Sequence, residues 1–178
     1  KVGSGSFISE LKKGEELARS LVSVANGAGC RSIALLTDMN ESLASSAGNS
    51  LEVRSALKVL KNDPGEERLL EVTLALGAKL LVHAGLCKEF EEAEVKVMKK
   101  ISNGEAADRF SRMVSGQGGP VDFVENPEKY LPPARKIFEF PARKSGFLSW
   151  VNGRALGQAV IELGGGRTTS DQVLDPSV

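Results

Sequence analysis

The feature that most restricts this chain's fold is an order of segments near its start: a glycine turn, a helix-length amphipathic stretch, then a short unbroken apolar run. Gly3-Ser4-Gly5-Ser6-Phe7 follows Lys1-Val2, which reads as the end of a strand. Ser9 is placed as the N-cap of a helix reaching Asn26-Gly27, with Leu11, Leu17, Leu21 and Val24 on one face. Asn26-Gly27 then offers the left-handed residue on which helices often end. Arg31-Ser32-Ile33-Ala34-Leu35-Leu36-Thr37 is too short for a helix and does not alternate, as expected of a strand buried on both faces of a parallel sheet. Strand end, turn, helix and buried strand make one βαβ unit with a right-handed crossover. The fold class is therefore α/β.

Beyond Asp38 the pattern becomes helical. Leu51, Leu57 and Leu60 mark a helix stopped by Asn62-Asp63-Pro64-Gly65. Residues 66–84 carry leucines almost all round, which predicts a deeply buried helix. Over 89–102, glutamates come first and lysines last, in keeping with the helix dipole, and Asn103-Gly104 closes the segment. This helix is read as a solvated face. A shorter helix, about 105–115, turns Phe110 and Met113 inward. Residues 116–134 are irregular, bracketed by Gly116-Gln117-Gly118-Gly119-Pro120 and Leu131-Pro132-Pro133. Past them, 137–140 and 146–151 read as strands, and 154–163 as a helix ended by Gly164-Gly165-Gly166. The expected organisation is 1–118 as the later part of an α/β domain, 119–134 as a connection, and 135–178 as the start of an α+β subdomain. The bare strand end at Lys1-Val2 and the uncapped Asp175-Pro176-Ser177-Val178 read as cut ends.

Composition narrows function by exclusion. Lys+Arg and Asp+Glu are equal at 23 each, which argues against a nucleic-acid binder and against an acidic disordered tail. No apolar run reaches the roughly 20 residues of a membrane helix, and no signal peptide is recognisable. Two distant cysteines, Cys30 and Cys87, form neither a disulfide framework nor a zinc pattern, so a reduced cytoplasmic setting is expected.

Four places carry candidate chemistry. The turn at Gly3–Phe7 lies between strand end and helix start, where α/β proteins bind ligands. It lacks the third glycine of a dinucleotide fingerprint and the Gly-Lys-Ser/Thr of a P-loop. Ligand loop and plain tight turn both fit its spacing. Leu43 to Asn49 brings small hydroxyl and amide residues to a helix start, suited either to an anion or to close packing with Asn49 as cap. His83, the only histidine, has no nucleophile or carboxylate arrangement beside it in sequence and reads as a helix-end or partly buried residue. Gly164-Gly165-Gly166-Arg167 offers backbone N–H groups to a phosphate or, more simply, a helix stop. Reaction type does not follow from spacing.

Several stretches, taken in order, resemble the thymidine phosphorylase and pyrimidine-nucleoside phosphorylase family. They are Lys1 to Phe7, Ala25-Asn26-Gly27-Ala28-Gly29, Leu36-Thr37-Asp38-Met39-Asn40 and Ser46-Ala47-Gly48-Asn49-Ser50-Leu51-Glu52-Val53. Asp122-Phe123-Val124-Glu125-Asn126, Lys129-Tyr130-Leu131-Pro132, Arg154-Ala155-Leu156-Gly157 and Gly164 to Arg167 continue the series. Together they span nearly the whole chain.

The resemblance implies an internal piece of a two-domain enzyme, usually a homodimer, whose reaction is reversible phosphorolysis of thymidine to thymine and 2-deoxyribose 1-phosphate. Thymidine and phosphate are the implied partners, and no cofactor is implied. The family's phosphate loop, Lys-His-Ser-Thr-Gly-Gly, does not occur in this chain, and its base-binding Arg, Ser and Lys belong to a region before Lys1. No catalytic residue is therefore assigned. Carried over residue by residue, Phe7 is part of the apolar wall beside the pyrimidine, with Gly5 and Ser6 shaping its loop. Family members also hold a potassium ion through two carbonyls, here at Leu43 and Ser46, and a glutamate, whose position falls on Ser55. Glu52 is out of register by about one helical turn, and no metal site is assigned. The rival readings are a broad-specificity pyrimidine-nucleoside phosphorylase and a non-catalytic small-molecule binding module.

Overall fold

A computed structural model describes residues 1–178. The chain forms six α-helices: α1 (Leu11–Gly27), α2 (Asn49–Leu60), α3 (Glu67–His83), α4 (Phe90–Ser102), α5 (Glu105–Gly116) and α6 (Gly153–Val160). It divides into two compact units, one of Lys1–Leu43 with Phe147–Gln158, the other of Ala44–Gly146 with Ala159–Val178.

In the first unit, α1 starts one residue later than expected. Glu10, not Ser9, is the N-cap, and it makes no side-chain capping bond. The helix also runs through Gly27, and the left-handed residue is Gly29, at φ 81°. Asn26 has another role: it accepts from the Ser32 amide at 2.9 Å and donates to the Ser32 carbonyl at 3.2 Å, tying the helix end to the following segment. The expected buried strand at 31–37 does not form. Pairing is confined to one parallel bridge, Val2 with Asp38, and Ile33 is 50% exposed. A strand of a parallel sheet is defined by neighbours on both sides, and here Val2 alone lies alongside. The apolar face of α1 likewise forms without being covered, since Leu11, Leu17, Leu21 and Val24 are all exposed.

The second unit is helical. α3 and α4 pack on each other around buried Ala78, Cys87 and Ala93, with Leu81, Val82 and Phe90 against them. Gly77 lets the helices approach, because a Cβ there would stand 3.0 Å from Val97 Cγ2. The expectation of a deeply buried α3 is corrected: Leu76 and Leu80 are 50% and 66% exposed, left uncovered by the packing of α4 on the helix. Met113 of α5 is also exposed, whereas Phe110 is half-buried and meets the Phe123 ring at 6.4 Å. Phe123 continues to Tyr130 at 6.0 Å.

The irregular connection is knotted by Asp122, which accepts from Lys129 Nζ at 2.7 Å, from Asn126 Nδ2 at 3.1 Å and from the Tyr130 hydroxyl. Arg54 of α2 holds it by pairing with Glu128 and donating to the Leu131 carbonyl at 2.8 Å. The strands expected at 137–140 and 146–151 are absent, and Phe138, Phe140, Phe147 and Trp150 are exposed. Gly164, at φ 100°, ends the helical stretch after α6.

Candidate functional site

The turn after Val2 is fixed on several sides. Val2 donates to the Thr37 carbonyl at 2.9 Å and accepts from the Met39 amide at 2.7 Å. Gly3 donates to the Ile8 carbonyl at 3.0 Å and accepts from the Ser6 amide at 3.0 Å. The Ser6 hydroxyl closes the loop: it donates to the Lys1 carbonyl at 2.7 Å and accepts from the Ile8 amide at 3.2 Å. Asn40 Oδ1 accepts the Ser4 amide at 3.1 Å, and Gly5 donates to the Met39 carbonyl at 2.9 Å.

The two glycines of the turn are constrained differently. Gly3 has φ 139°, and a Cβ there would lie 2.5 Å from the Met39 carbonyl carbon. Gly5 has no positive φ, but its Cβ would come to 3.1 Å from the Met39 oxygen and 3.7 Å from Gly153 Cα. Gly153 opens α6 and was not singled out from the sequence; a glycine just before a helical pattern was the available signal. At the tip of this braced loop, the Phe7 side chain is fully exposed. It is not a core phenylalanine of this chain. Gly5, Ser6 and Phe7 thus occupy one loop with its backbone hydrogen-bonded in place and an aromatic ring projecting from it.

The segment around Ser46–Asn49 is closely packed, as one of the two readings from spacing expects, but Asn49 is not the cap. Gly48, not Asn49, is the N-cap of α2, and chain segments fill the helix start. Asn49 donates through its amide to the Val178 carbonyl at 2.5 Å and through Nδ2 to the Gly165 carbonyl at 2.9 Å. The Ser50 hydroxyl donates to the Pro176 carbonyl. Gly164 and Gly165 therefore present carbonyls to protein donors, and Asp175 donates its amide to Gly164 at 2.9 Å. Gly164–Gly166 acts as a helix stop.

A polar cluster that sequence reading missed lies beside α2. Glu66 is buried at the N-cap of α3, with its side chain 1% exposed. It accepts from the Ser45 hydroxyl at 2.6 Å, the Ser45 amide at 2.8 Å and the Ser55 hydroxyl at 2.8 Å, with Lys58 Nζ at 3.8 Å. The Ser45 hydroxyl and then its amide hold the Glu66 carboxyl below its ordinary value, against the opposing effect of burial. No sequence periodicity joins positions 45, 55 and 66, so no local signal announces the cluster. His83 ends α3, half-buried, and its Nε2 has no hydrogen-bond partner in the chain.

Residues 1–107 match the model of a glycosyl transferase family, a/b domain. The chain belongs to that family, which is the family of nucleoside phosphorylases. It is 47% identical, over all 178 residues, to a thymidine phosphorylase of Burkholderia lata, and spans 41% of that protein's length. No helix is long and apolar enough to cross a membrane.

Proposed function

We propose that the full-length protein carrying this chain is a thymidine phosphorylase, acting reversibly on thymidine and phosphate without an organic cofactor. The observation that carries this reading is the 47% identity to such an enzyme across every residue of the chain. In the reaction, a phosphate oxygen forms a bond to the anomeric carbon as the bond from that carbon to the pyrimidine nitrogen breaks. The electron pair leaves with the base, so catalysis rests on stabilising a departing pyrimidine anion and an oxocarbenium-like sugar.

This chain's share is to shape one wall of the pocket. Gly5 and Ser6 hold the loop, and the exposed Phe7 ring lies against the pyrimidine. The groups that meet phosphate and the base's polar edge belong to other parts of the protein, so these 178 residues alone do not phosphorolyse thymidine. The reading extends to a cytoplasmic homodimer that binds neither nucleic acid nor membrane. It places residues 1–118 in the large α/β domain, 119–134 as a connection and 135–178 as the start of a C-terminal α+β subdomain.

The test is release of thymine from thymidine and phosphate by the purified full-length protein, with uridine assayed in parallel. Thymine release with uridine turned over far more slowly is the expected result. Comparable rates on both nucleosides would make it a broad pyrimidine-nucleoside phosphorylase. No phosphate-dependent release from either would leave a binding module and refute the proposal.

A further inference from the structure

The family resemblance implies a potassium ion held by carbonyls at Leu43 and Ser46 and by a carboxylate at position 55. The residues present do not fit it. Position 55 is a buried serine whose hydroxyl donates to Glu66 Oε1 at 2.8 Å and lies 3.1 Å from the Ser46 hydroxyl. Glu52, the carboxylate nearest in sequence, instead accepts the Gly48 amide at 3.2 Å. The carboxylate that does reach this place is Glu66, and three of its roughly four acceptor sites are filled, including both on Oε1. Oε1 receives two hydroxyl protons, from Ser45 and Ser55, and Oε2 receives the Ser45 amide. An ionised carboxylate offers roughly two acceptor sites per oxygen. A cation on Oε1 would displace the Ser45 and Ser55 hydroxyls and stand beside the Lys58 ammonium, which lies 3.8 Å from that oxygen.

We propose that the Ser45–Ser55–Glu66–Lys58 network takes the place of a bound monovalent cation in this protein. Glu66 brings to Ser55, from the N-cap of α3, the carboxylate that position 55 lacks. Lys58, one turn further along α2, supplies the positive charge. Residues 44–48 are thereby tied to α2 and α3 by protein groups alone, and their order is independent of potassium. The inference does not depend on which nucleoside the enzyme uses.

The test is amide hydrogen exchange of residues 44–48 in the full-length protein, in potassium chloride and in choline chloride of equal ionic strength, with melting temperature read in the same buffers. Wild-type exchange and melting temperature are expected to be the same in both salts. Glu66→Gln is expected to speed exchange of this segment by about tenfold in both, the loss of a hydrogen bond to a charged acceptor. A potassium-specific gain in wild-type protection or melting temperature would overturn the proposal. So would a Glu66→Gln variant whose segment exchanges at the wild-type rate. If Glu66→Gln does not fold, Ser55→Ala, which removes a single hydroxyl, gives the same reading with a smaller acceleration, and no acceleration would count against it.

Discussion

Replacing Gly14 by alanine sets two effects of similar size against each other. Gly14 lies inside α1, where alanine is favoured over glycine by about 1 kcal/mol. A Cβ there would stand 2.5 Å from Val2 Cγ2, well inside the roughly 3.5–4.0 Å at which carbon atoms rest. Val2 is 8% exposed, and its backbone is held at 2.9 Å to Thr37 and 2.7 Å to Met39. Its branched side chain cannot turn away cheaply. Overpacking of this kind costs about 1–3 kcal/mol. The clash should therefore win, leaving Gly14→Ala destabilised by up to about 2 kcal/mol.

Removing the obstacle should reverse the sign. In a Val2→Ala background the Cγ atoms are gone, and the next Val2 atom, Cβ, is 3.7 Å away, an ordinary contact. There Gly14→Ala should stabilise by up to about 1 kcal/mol, so the double-mutant cycle closes with a coupling of about 1–3 kcal/mol. Urea midpoints of the four full-length proteins measure it. Because Val2 leads directly into the glycine turn, Gly14→Ala should also raise the thymidine KM. Additivity within about 0.5 kcal/mol, or a Gly14→Ala protein more stable than wild type, would refute the packing argument.

Phe7→Ala in the full-length enzyme should weaken thymidine kcat/KM by about three- to tenfold, the kinetic equivalent of aromatic stacking, with melting temperature nearly unchanged because the side chain is exposed. A lowered melting temperature with unaltered thymidine kinetics would show a packing role instead. Gly3→Ala should cost more than 1 kcal/mol by urea unfolding, since its Cβ meets the Met39 backbone at 2.5 Å and φ is 139°; a neutral variant contradicts the turn geometry. Hydrogen bonds from Lys129 and then Tyr130 lower the Asp122 carboxyl to about 2. A depressed carboxyl stabilises the fold above its unfolded value of about 3.9 and loses that contribution as pH falls through its folded value. The melting-temperature gap between wild type and Asp122→Asn should thus be constant from about pH 7 to 5 and close between about pH 4 and 2. A gap that persists at pH 2 would rule this out.

Helix positions were legible where the stop signals are local. Asn62 to Gly65 ends α2 and Asn103-Gly104 ends α4 in the chain as in the sequence pattern, and Asn62 does take a left-handed φ of 61°. The ends of α1 were less so, because Ser9 and Glu10 compete for one cap and Gly27 and Gly29 for one left-handed position. The strands failed for a non-local reason. Ile33, Leu35 and Leu36 have the composition of a buried parallel strand, but a strand exists only through its neighbours, and Val2 alone pairs there. The same holds for burial of α3, where leucines all round declare an apolar helix and cannot declare how many helices cover it.

The candidate loop turns on a distinction that spacing cannot make. A plain tight turn needs glycine for a positive φ and nothing else, which describes Gly3. Gly5 does not have that conformation, and what restricts it is the proximity of the Met39 oxygen, with Gly153 Cα in ordinary contact on the other side. A residue kept small by a neighbouring backbone oxygen belongs to a loop whose position is fixed from outside, and Asn40 adds a second brace through the Ser4 amide. Fixing a loop this firmly while leaving Phe7 bare gives the first unit no packing benefit from the ring. Such an arrangement suits a side chain held ready for something that binds to it, because a ring already in position loses little conformational entropy on contact.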